Sequence, residues 1–201
     1  MRLGVQPPGG LSLASMPDHF DLLAPIYDRL VPPPADDHLA ELAGLPVAGR
    51  LLDAGGGTGR IARRLAGLAG AVTIADASRR MLTAARRLAR LGAVACQAER
   101  LPFAAGTFER VVMVDAYHHV ADQDLTLREL WRVLERGGRM VIEEPDIDTW
   151  AVRLIAWGER LLLMRSRFER AEAIASRLSA LGAEVSLRRD RNTAWVVAAR
   201  R

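Results

Sequence analysis

Short apolar blocks alternate with polar stretches along the chain, and their spacing predicts strands and helices that follow one another in turn. An apolar run at 50–54 ends at a cluster of glycines, and apolar positions at helical spacing follow at 58–69. The same succession then repeats: Ser78 is a candidate cap for a helix that runs to Leu91, before Gly92. The remaining blocks of this half predict strands at 71–76, 93–97 and 108–116.

The pattern continues through the second half of the chain. Apolar residues on one face predict a helix at 124–135, which Gly137 and Gly138 end, and a strand follows at 139–145. Ser166 and Glu169 then match a capping box for a helix that ends near Gly182.

Two strands close the pattern, at 183–189 and 193–200, joined by a tight turn at 190–192 that favours a hairpin. The alternation predicts an α/β fold: a Rossmann-like, doubly wound, seven-stranded mixed sheet whose last strand pair is antiparallel. We expect a flexible leader at 1–15 and a single domain at 16–201, whose first helices are broken by prolines at 32–34.

The amino-acid composition limits the classes of protein and of reaction that the chain can belong to. Half of the 201 residues are hydrophobic, which suits one domain with a sizeable core, and no apolar run approaches the roughly 20 residues of a membrane span. All 28 basic residues are arginine, so a phosphate-binding loop with its lysine and a Schiff base are both excluded. The single cysteine, Cys96, excludes an internal disulfide and favours the cytoplasm. The net charge is +4, but the arginines are spread over several predicted helices. This distribution favours solvated helix faces over a surface that binds nucleic acid.

The glycine cluster lies in LLDAGGGTGRIA, residues 51–62, and two classes of cofactor compete for it. Gly57, Gly59 and Ala62 match the GxGxxA fingerprint of dinucleotide-binding loops. Asp53 argues against that class, because its carboxylate would repel a pyrophosphate at short range. A ligand that carries an ammonium and a sulfonium group would be attracted instead.

Several motifs support the second class. Asp53, Gly55, Gly57 and Gly59 have the spacing D-x-G-x-G-x-G, which resembles the first motif of the class I S-adenosylmethionine-dependent methyltransferases. The chain is most similar to the UbiE-like group (methyltransferase type 11), which methylates quinone precursors. Further segments that resemble this group, over residues 20 to 200, are APIYDRL, AERLPF, GTFERVVMVDAYHHVAD and LLLMRSRFERAEAIASRL.

This resemblance implies S-adenosyl-L-methionine as the cofactor and assigns its contacts. The glycines would let the backbone approach the methionine part, and Asp53 would meet its amino group. Asp76, at the end of the second strand, would accept both ribose hydroxyls; the alternative is an acid that satisfies amides at the start of the next helix.

The adenine contact departs from the family pattern. Gln97 stands where an aspartate is usual, and its amide oxygen can still accept a hydrogen bond from the adenine amino group. Ala98 would supply a backbone amide, and Glu99 is either a further contact or solvated. Asp115, near the end of the fourth predicted strand, completes the expected cofactor-binding residues.

Candidates for the reaction itself follow that strand. His118 and His119 are the candidate catalytic residues, since either could act as a base towards a phenol or an enol-like carbon acceptor. Adjacent histidines point to different sides, so one of them can instead cap a helix or pack in the core. Tyr117 and Tyr27 are expected to contact the acceptor.

The segment 146–168 is expected to be a lid. Trp150 and Trp157 would form an apolar wall for the acceptor, or else pack as ordinary core. Glu143 and Glu144, just before the lid, would face the cleft edge or be solvated.

The sequence therefore predicts a cytoplasmic methyltransferase that acts on a small, apolar or aromatic, quinone-like acceptor, with peripheral membrane contact allowed. A nucleic-acid acceptor is disfavoured because the fourth strand leads into DAYH rather than an Asn-Pro-Pro-aromatic tetrad. No metal is expected, and the oligomeric state stays open. The rivals are a non-catalytic S-adenosylmethionine-binding module, an RNA methyltransferase and an NAD-dependent oxidoreductase.

Overall fold

The structure, a computed structural model, describes residues 38–85, 91–150, 152–153 and 166–201. The expected leader at 1–15, Tyr27, Trp157 and most of the expected lid at 146–168 lie outside the described residues.

Seven strands form a single mixed sheet, which confirms the predicted fold class. The strand order is β3-β2-β1-β4-β5-β7-β6; the first five strands run parallel, and β7 runs antiparallel to both β5 and β6. The strands are β1 (Val47–Ala54), β2 (Ala69–Asp76), β3 (Leu91–Ala95), β4 (Phe108–Val114), β5 (Leu134–Pro145), β6 (Glu184–Asp190) and β7 (Thr193–Ala199).

Helices cover both faces of this sheet, as alternating strands and helices require. The described α-helices are α1 (His38–Leu42), α2 (Arg60–Leu65), α3 (Arg79–Ala85), α4 (Gln123–Val133) and α5 (Ala171–Ala180), and a 3₁₀ turn spans Tyr117–His119. One core cluster joins α4 and α5 to the sheet, and the other joins α1, α2 and α3 to its opposite face. Among the described residues no helix is long and apolar enough to cross a membrane.

The helix after β2 starts as predicted and ends differently. The hydroxyl of Ser78 accepts a hydrogen bond from Met81 N at 3.1 Å, so Ser78 is the expected cap. The prediction of a helix as far as Leu91 is wrong, because Leu91 begins β3. This strand ends at Ala95, so Cys96 lies just beyond it, half-buried, and burial raises the pKa of its thiol to about 11.

The glycine pair after α4 does not end that helix. The helix stops at Val133, and β5 begins at Leu134. Gly137 N donates to the carbonyl of Arg200 at 2.7 Å, and Arg200 N donates to the carbonyl of Gly138 at 3.0 Å. The pair therefore joins the start of β5 to the chain after β7.

The predicted capping box is also wrong. The helix begins at Ala171, its N-cap residue is Arg170, and no side chain caps it. Ser166 is engaged elsewhere, with its Oγ 3.2 Å from Nδ1 of His119, and Glu169 forms an ion pair with Arg177. Tertiary contacts with the 3₁₀ turn thus keep 166–170 out of the helix.

Candidate active site

The glycine loop connects β1 to α2 at the carboxyl end of the parallel strands. Gly57 has φ +54°, in the left-handed region that favours glycine, and both Gly55 and Gly59 have positive φ as well. A Cβ on Gly55 would lie 2.5 Å from the Cβ of Ala116, whereas among the described residues a Cβ on Gly57 would come no closer than 4.0 Å to a neighbour, the Oδ2 of Asp76. The loop is therefore packed against the segment after β4 at Gly55 and open at Gly57.

Asp53 lies beneath this loop, with 1% of its surface exposed. Its Oδ2 accepts a hydrogen bond from Ala62 N at 3.0 Å, and a Cβ on Gly56 would lie 2.6 Å from its Cγ. Burial raises the pKa of Asp53 to about 7. The carboxylate thus fixes the first turn of α2 under the loop, and its contact with a cofactor amino group stays a prediction.

Asp76 ends β2 and faces the same loop. Its Oδ2 accepts from Gly57 N at 2.8 Å, and its Oδ1 accepts from Ser78 N at 2.7 Å. The structure therefore has the helix-amide contact that the sequence left as an alternative. Each carboxylate oxygen has a second lone pair that can accept a hydroxyl, so ribose binding stays a compatible prediction.

The expected adenine segment follows β3. Gln97 is exposed, and Ala98 is half-buried against the core. Glu99 is partly exposed and is also hydrogen-bonded: its Oε1 accepts from Ala121 N at 2.7 Å and from Asp122 N at 3.2 Å. These bonds tie the segment after β3 to the segment that precedes α4.

Asp115 occupies the sharp bend between β4 and the 3₁₀ turn. Its φ is +50°, a conformation that costs a non-glycine residue about 1 to 2 kcal/mol, and its N–H donates to the carbonyl of Glu143 at 3.0 Å. Burial raises the pKa of Asp115, and the negative charge of Glu144 raises it further.

Glu144 makes contacts that sequence reasoning did not anticipate. Its Oε1 accepts from Ala116 N at 3.1 Å and from Tyr117 N at 2.9 Å, and its Oε2 lies 2.5 Å from His118 Nδ1. Glu144 is buried, so plain solvation, which the sequence left as the alternative to a position at the cleft edge, is wrong. The signal available in the sequence was a pair of acids at the end of an otherwise apolar strand.

The two candidate bases differ in their surroundings. His118 is buried and stacks on Phe168, with ring centroids 4.3 Å apart and an interplanar angle of 15°. His119 has its Nδ1 near the hydroxyl of Ser166, and burial, together with the neighbouring His118, lowers the pKa of His119 to about 3. His119 is therefore a neutral, very weak base.

Two of the aromatic residues expected to contact the acceptor, Tyr117 and Trp150, lie within the described residues. Tyr117 is 1% exposed, belongs to the core cluster on the α4 face, and its hydroxyl donates to the carbonyl of Gln123 at 3.5 Å. The 3₁₀ turn directs it inward. Trp150 is 76% exposed rather than part of a wall.

Glu143 occupies the opposite face of β5 from Glu144, since successive strand residues alternate. Its Oε2 accepts from Trp195 Nε1 at 2.7 Å, and burial raises its pKa to about 7. Within the described ranges, no group of three or more His, Cys, Asp or Glu residues could hold a metal ion.

The chain matches known proteins along both its sequence and its fold. Residues 52–142 match the methyltransferase domain family. The ubiquinone/menaquinone biosynthesis C-methyltransferase UbiE of Cellvibrio japonicus is 36% identical over 142 residues, which cover 61% of this chain and 57% of the relative. Across the relatives of this name the chain spans about half of their length.

Solved structures show the same fold. A chain in the complex between the Haloferax volcanii Trm112 methyltransferase activator and its methyltransferase superposes with a TM-score of 0.76 at 19% identity, covering 92% of this chain and 99% of that chain. An S-adenosylmethionine-dependent methyltransferase from Thermotoga maritima gives a TM-score of 0.75 at 22% identity, covering 90% and 98%. The sheet order is that of these solved structures, and residues 52–142 form a methyltransferase domain that is similar to that of the UbiE relatives.

Proposed function

We propose that the chain binds S-adenosyl-L-methionine at the glycine loop and transfers its methyl group to a small, apolar or aromatic acceptor. The observation that carries this proposal is the backbone at Gly57, which no described side chain covers, in a glycine loop that contacts the carboxylates of Asp53 and Asp76. Backbone without a side chain admits close approach of a ligand, and carboxylates favour one that carries positive charge.

The residues at this site fit the cofactor. Asp76 offers a carboxylate at the end of β2, a group whose two oxygens can accept two neighbouring hydroxyls of the kind that a ribose presents. Asp53 supplies negative charge beneath the loop, and Gln97 and Ala98 lie beyond the next strand for the adenine. When bound, the cofactor supplies a methyl group on a positively charged sulfur, which a nucleophile can take.

The residues of the chain then have to position the acceptor and exclude water from it. Because Gly55 packs against Ala116, the 3₁₀ turn with its two histidines adjoins the loop. A base on this turn can take a proton from the acceptor.

For the acceptor we propose a quinone-related ring that is methylated at carbon. The support is the similarity to relatives named for C-methylation in ubiquinone and menaquinone biosynthesis. Such an acceptor is apolar, so peripheral contact with a membrane and a cytoplasmic location belong to the same proposal.

The first experiment is calorimetric titration of the purified chain with S-adenosylmethionine, S-adenosylhomocysteine and NADH in parallel. We expect the first two to bind and NADH to give no heat of binding. Binding of NADH alone would overturn the cofactor assignment. Incubation with methyl-labelled cofactor and 1,4-naphthohydroquinone then tests the acceptor class. We expect the label on a ring carbon of the product. Label on an oxygen would contradict methylation at carbon.

A further inference from the structure

We propose that Glu144 positions His118 so that Nε2 of His118 accepts the hydroxyl proton of the acceptor as the methyl group is transferred. In this assignment His118 is a catalytic residue and Glu144 a positioning residue. The inference rests on the proposed function and deepens it, since the sequence left the choice between His118 and His119 open.

Glu144 makes three contacts with one short stretch of chain. Oε1 accepts the backbone N–H groups of Ala116 and Tyr117, and Oε2 lies 2.5 Å from Nδ1 of His118. The carboxylate therefore holds both the backbone of the 3₁₀ turn and the first histidine on it. Because β5 supplies the carboxylate and the turn follows β4, the pairing of these two strands sets the geometry.

The contact with Glu144 determines which ring nitrogen of His118 carries the proton. An ionised carboxylate can only accept hydrogen bonds, so Nδ1 must donate to it. The neutral imidazole then has its lone pair on Nε2, which is the nitrogen able to take a proton. Stacking on Phe168 at 4.3 Å further restricts the rotation of the ring. A carboxylate in this position also stabilises the imidazolium that forms after proton transfer.

The surroundings of His119 favour it less as a catalytic base. Its Nδ1 lies 3.2 Å from the hydroxyl of Ser166, and a hydroxyl can donate or accept, so this contact does not select a tautomer. Burial and the neighbouring His118 also lower the pKa of His119, which makes its imidazole a weak base.

The location suits a base for methyl transfer. Ala116, whose N–H binds Glu144, is the residue against which Gly55 packs. His118 is thus two residues from the contact between the glycine loop and the 3₁₀ turn, on the edge of the sheet where ligands of such folds bind.

Methyl transfer to a hydroquinone-like acceptor conserves atoms and charge. The hydroxyl proton passes to Nε2 of His118 as an electron pair of the ring carbon forms the new bond to the methyl group. The bond between methyl and sulfur breaks, its electron pair stays on sulfur, and the sulfonium becomes a neutral thioether. The ring carbon then loses its own hydrogen as a proton to water and aromaticity returns, with the negative charge on the ring oxygen. His118 returns its proton to that oxygen, so the hydroxyl is restored and one proton in all is released to solvent.

The test uses Glu144→Gln, with Glu143→Gln as the matched control. A glutamine at 144 keeps an oxygen for the N–H groups of Ala116 and Tyr117 but presents an NH₂ group to His118. Nδ1 must then accept, and the proton moves to Nε2. The control removes an equally buried carboxylate from the same strand, one that binds Trp195 instead of a histidine.

The first readout is the histidine tautomer, measured by long-range ¹H–¹⁵N NMR on the whole chain without cofactor or acceptor. We expect the Nδ1–H tautomer for His118 in the wild type and in Glu143→Gln, and the Nε2–H tautomer in Glu144→Gln. An Nε2–H tautomer in the wild type overturns the inference. The wild-type spectrum decides even where Glu144→Gln fails to fold.

The second readout separates turnover from binding. With methyl-labelled cofactor and 1,4-naphthohydroquinone, we expect Glu144→Gln to lower kcat by about 100-fold or more, while KM and the calorimetric Kd for S-adenosylmethionine stay within about twofold. Glu143→Gln should keep kcat within about threefold. Equal losses in both variants, or an unchanged kcat in Glu144→Gln, overturn the role of Glu144. Absence of cofactor binding in the wild type is a different result, which contradicts the proposed function and leaves the tautomer measurement interpretable.

Discussion

Asp53 and Glu143 are buried acids whose pKa burial raises to about 7. The folded state therefore holds their protons more tightly than the unfolded chain, in which acids titrate near pH 4. Their protonated form contributes stability that is fully present below the unfolded pKa and is lost as the pH rises through about 7. The glycine loop and the end of β5 are thus stabilised by neutral acids in mildly acidic solution.

This argument predicts the pH dependence of stability for Glu143→Gln. The glutamine can still accept from Trp195 and carries no charge at any pH, so the variant should gain stability relative to the wild type as the pH rises from 4.5 to 7. The full gain is about 3 kcal/mol, from about 1.4 kcal/mol per pKa unit. Urea denaturation of both proteins at pH 5 and pH 8 measures it, and a difference that does not change with pH contradicts the raised pKa of Glu143.

Asp76 allows a direct prediction for cofactor binding. Asp76→Ala should weaken S-adenosylmethionine binding at least tenfold, because hydrogen bonds to a charged group are worth about 1.5 to 3 kcal/mol. Asp122→Ala is the control: Asp122 also accepts a backbone N–H at the start of a helix, from Leu125 at 2.9 Å, but it does not touch the glycine loop. Calorimetry on both variants is decisive, and equal affinity in Asp76→Ala and the wild type would exclude the ribose contact.

At the scale of elements, the glycine loop has one face towards the protein and one open face. Gly56 lies against the Asp53 carboxylate, whereas a Cβ on Gly57 would lie 4.0 Å from Asp76 Oδ2 and no closer to any other residue that the structure describes. Substitutions at these two positions can therefore distinguish the structural role of the glycine loop from its role in ligand binding.

Alanine substitutions at these two positions should behave differently. Gly57→Ala should cost about 1 to 2 kcal/mol of stability from its positive φ, and it should weaken cofactor binding because the new methyl group enters the open face. Gly56→Ala should mainly destabilise the fold, since its Cβ would lie 2.6 Å from Cγ of Asp53. Thermal unfolding and calorimetry on both variants test this, and unimpaired binding in folded Gly57→Ala would mean that the ligand does not approach there.

The local sequence pattern was sufficient to predict the strands of the sheet, but it was not sufficient to predict the contacts of the 3₁₀ turn beside the sheet. Alternating apolar blocks and glycines predicted all seven strands and placed Asp53 and Asp76 at strand ends, because strand direction and loop position follow from short-range sequence. Glu144 was missed because its partner His118 is 26 residues away and meets it only through strand pairing. Ser166 was misread as a cap for the same reason, since its actual partner is His119.

At the scale of the whole molecule, the chain after β7 is tied back to the middle of the sequence. Arg200 donates through its guanidinium to the carbonyls of Trp131 and Leu134, at 2.7 and 2.5 Å, and stacks over the ring of Trp131. These contacts bind the last strand pair to the junction of α4 and β5.

Removing this connection should lower global stability without affecting the site. Arg200→Ala should cost about 2 kcal/mol, because two partly buried carbonyls lose a charged donor. Arg201→Ala is the neighbouring control; its guanidinium pairs with Glu184 at the surface, where such pairs contribute little. Urea denaturation should separate the two variants while both keep wild-type affinity for S-adenosylmethionine. Equal stabilities would show that the Arg200 contacts are not needed to close the fold.

The position of β7 between β5 and β6 has a consequence for the newly made chain. While the polypeptide is being synthesised, β5 can pair with β4 as soon as both exist, but its other edge has no partner until Thr193–Ala199 has emerged. That edge belongs to an apolar strand, and open edges of this kind invite pairing with other molecules. The nascent chain therefore passes through a stage prone to aggregation, which ends when its last strand inserts between two strands made before it.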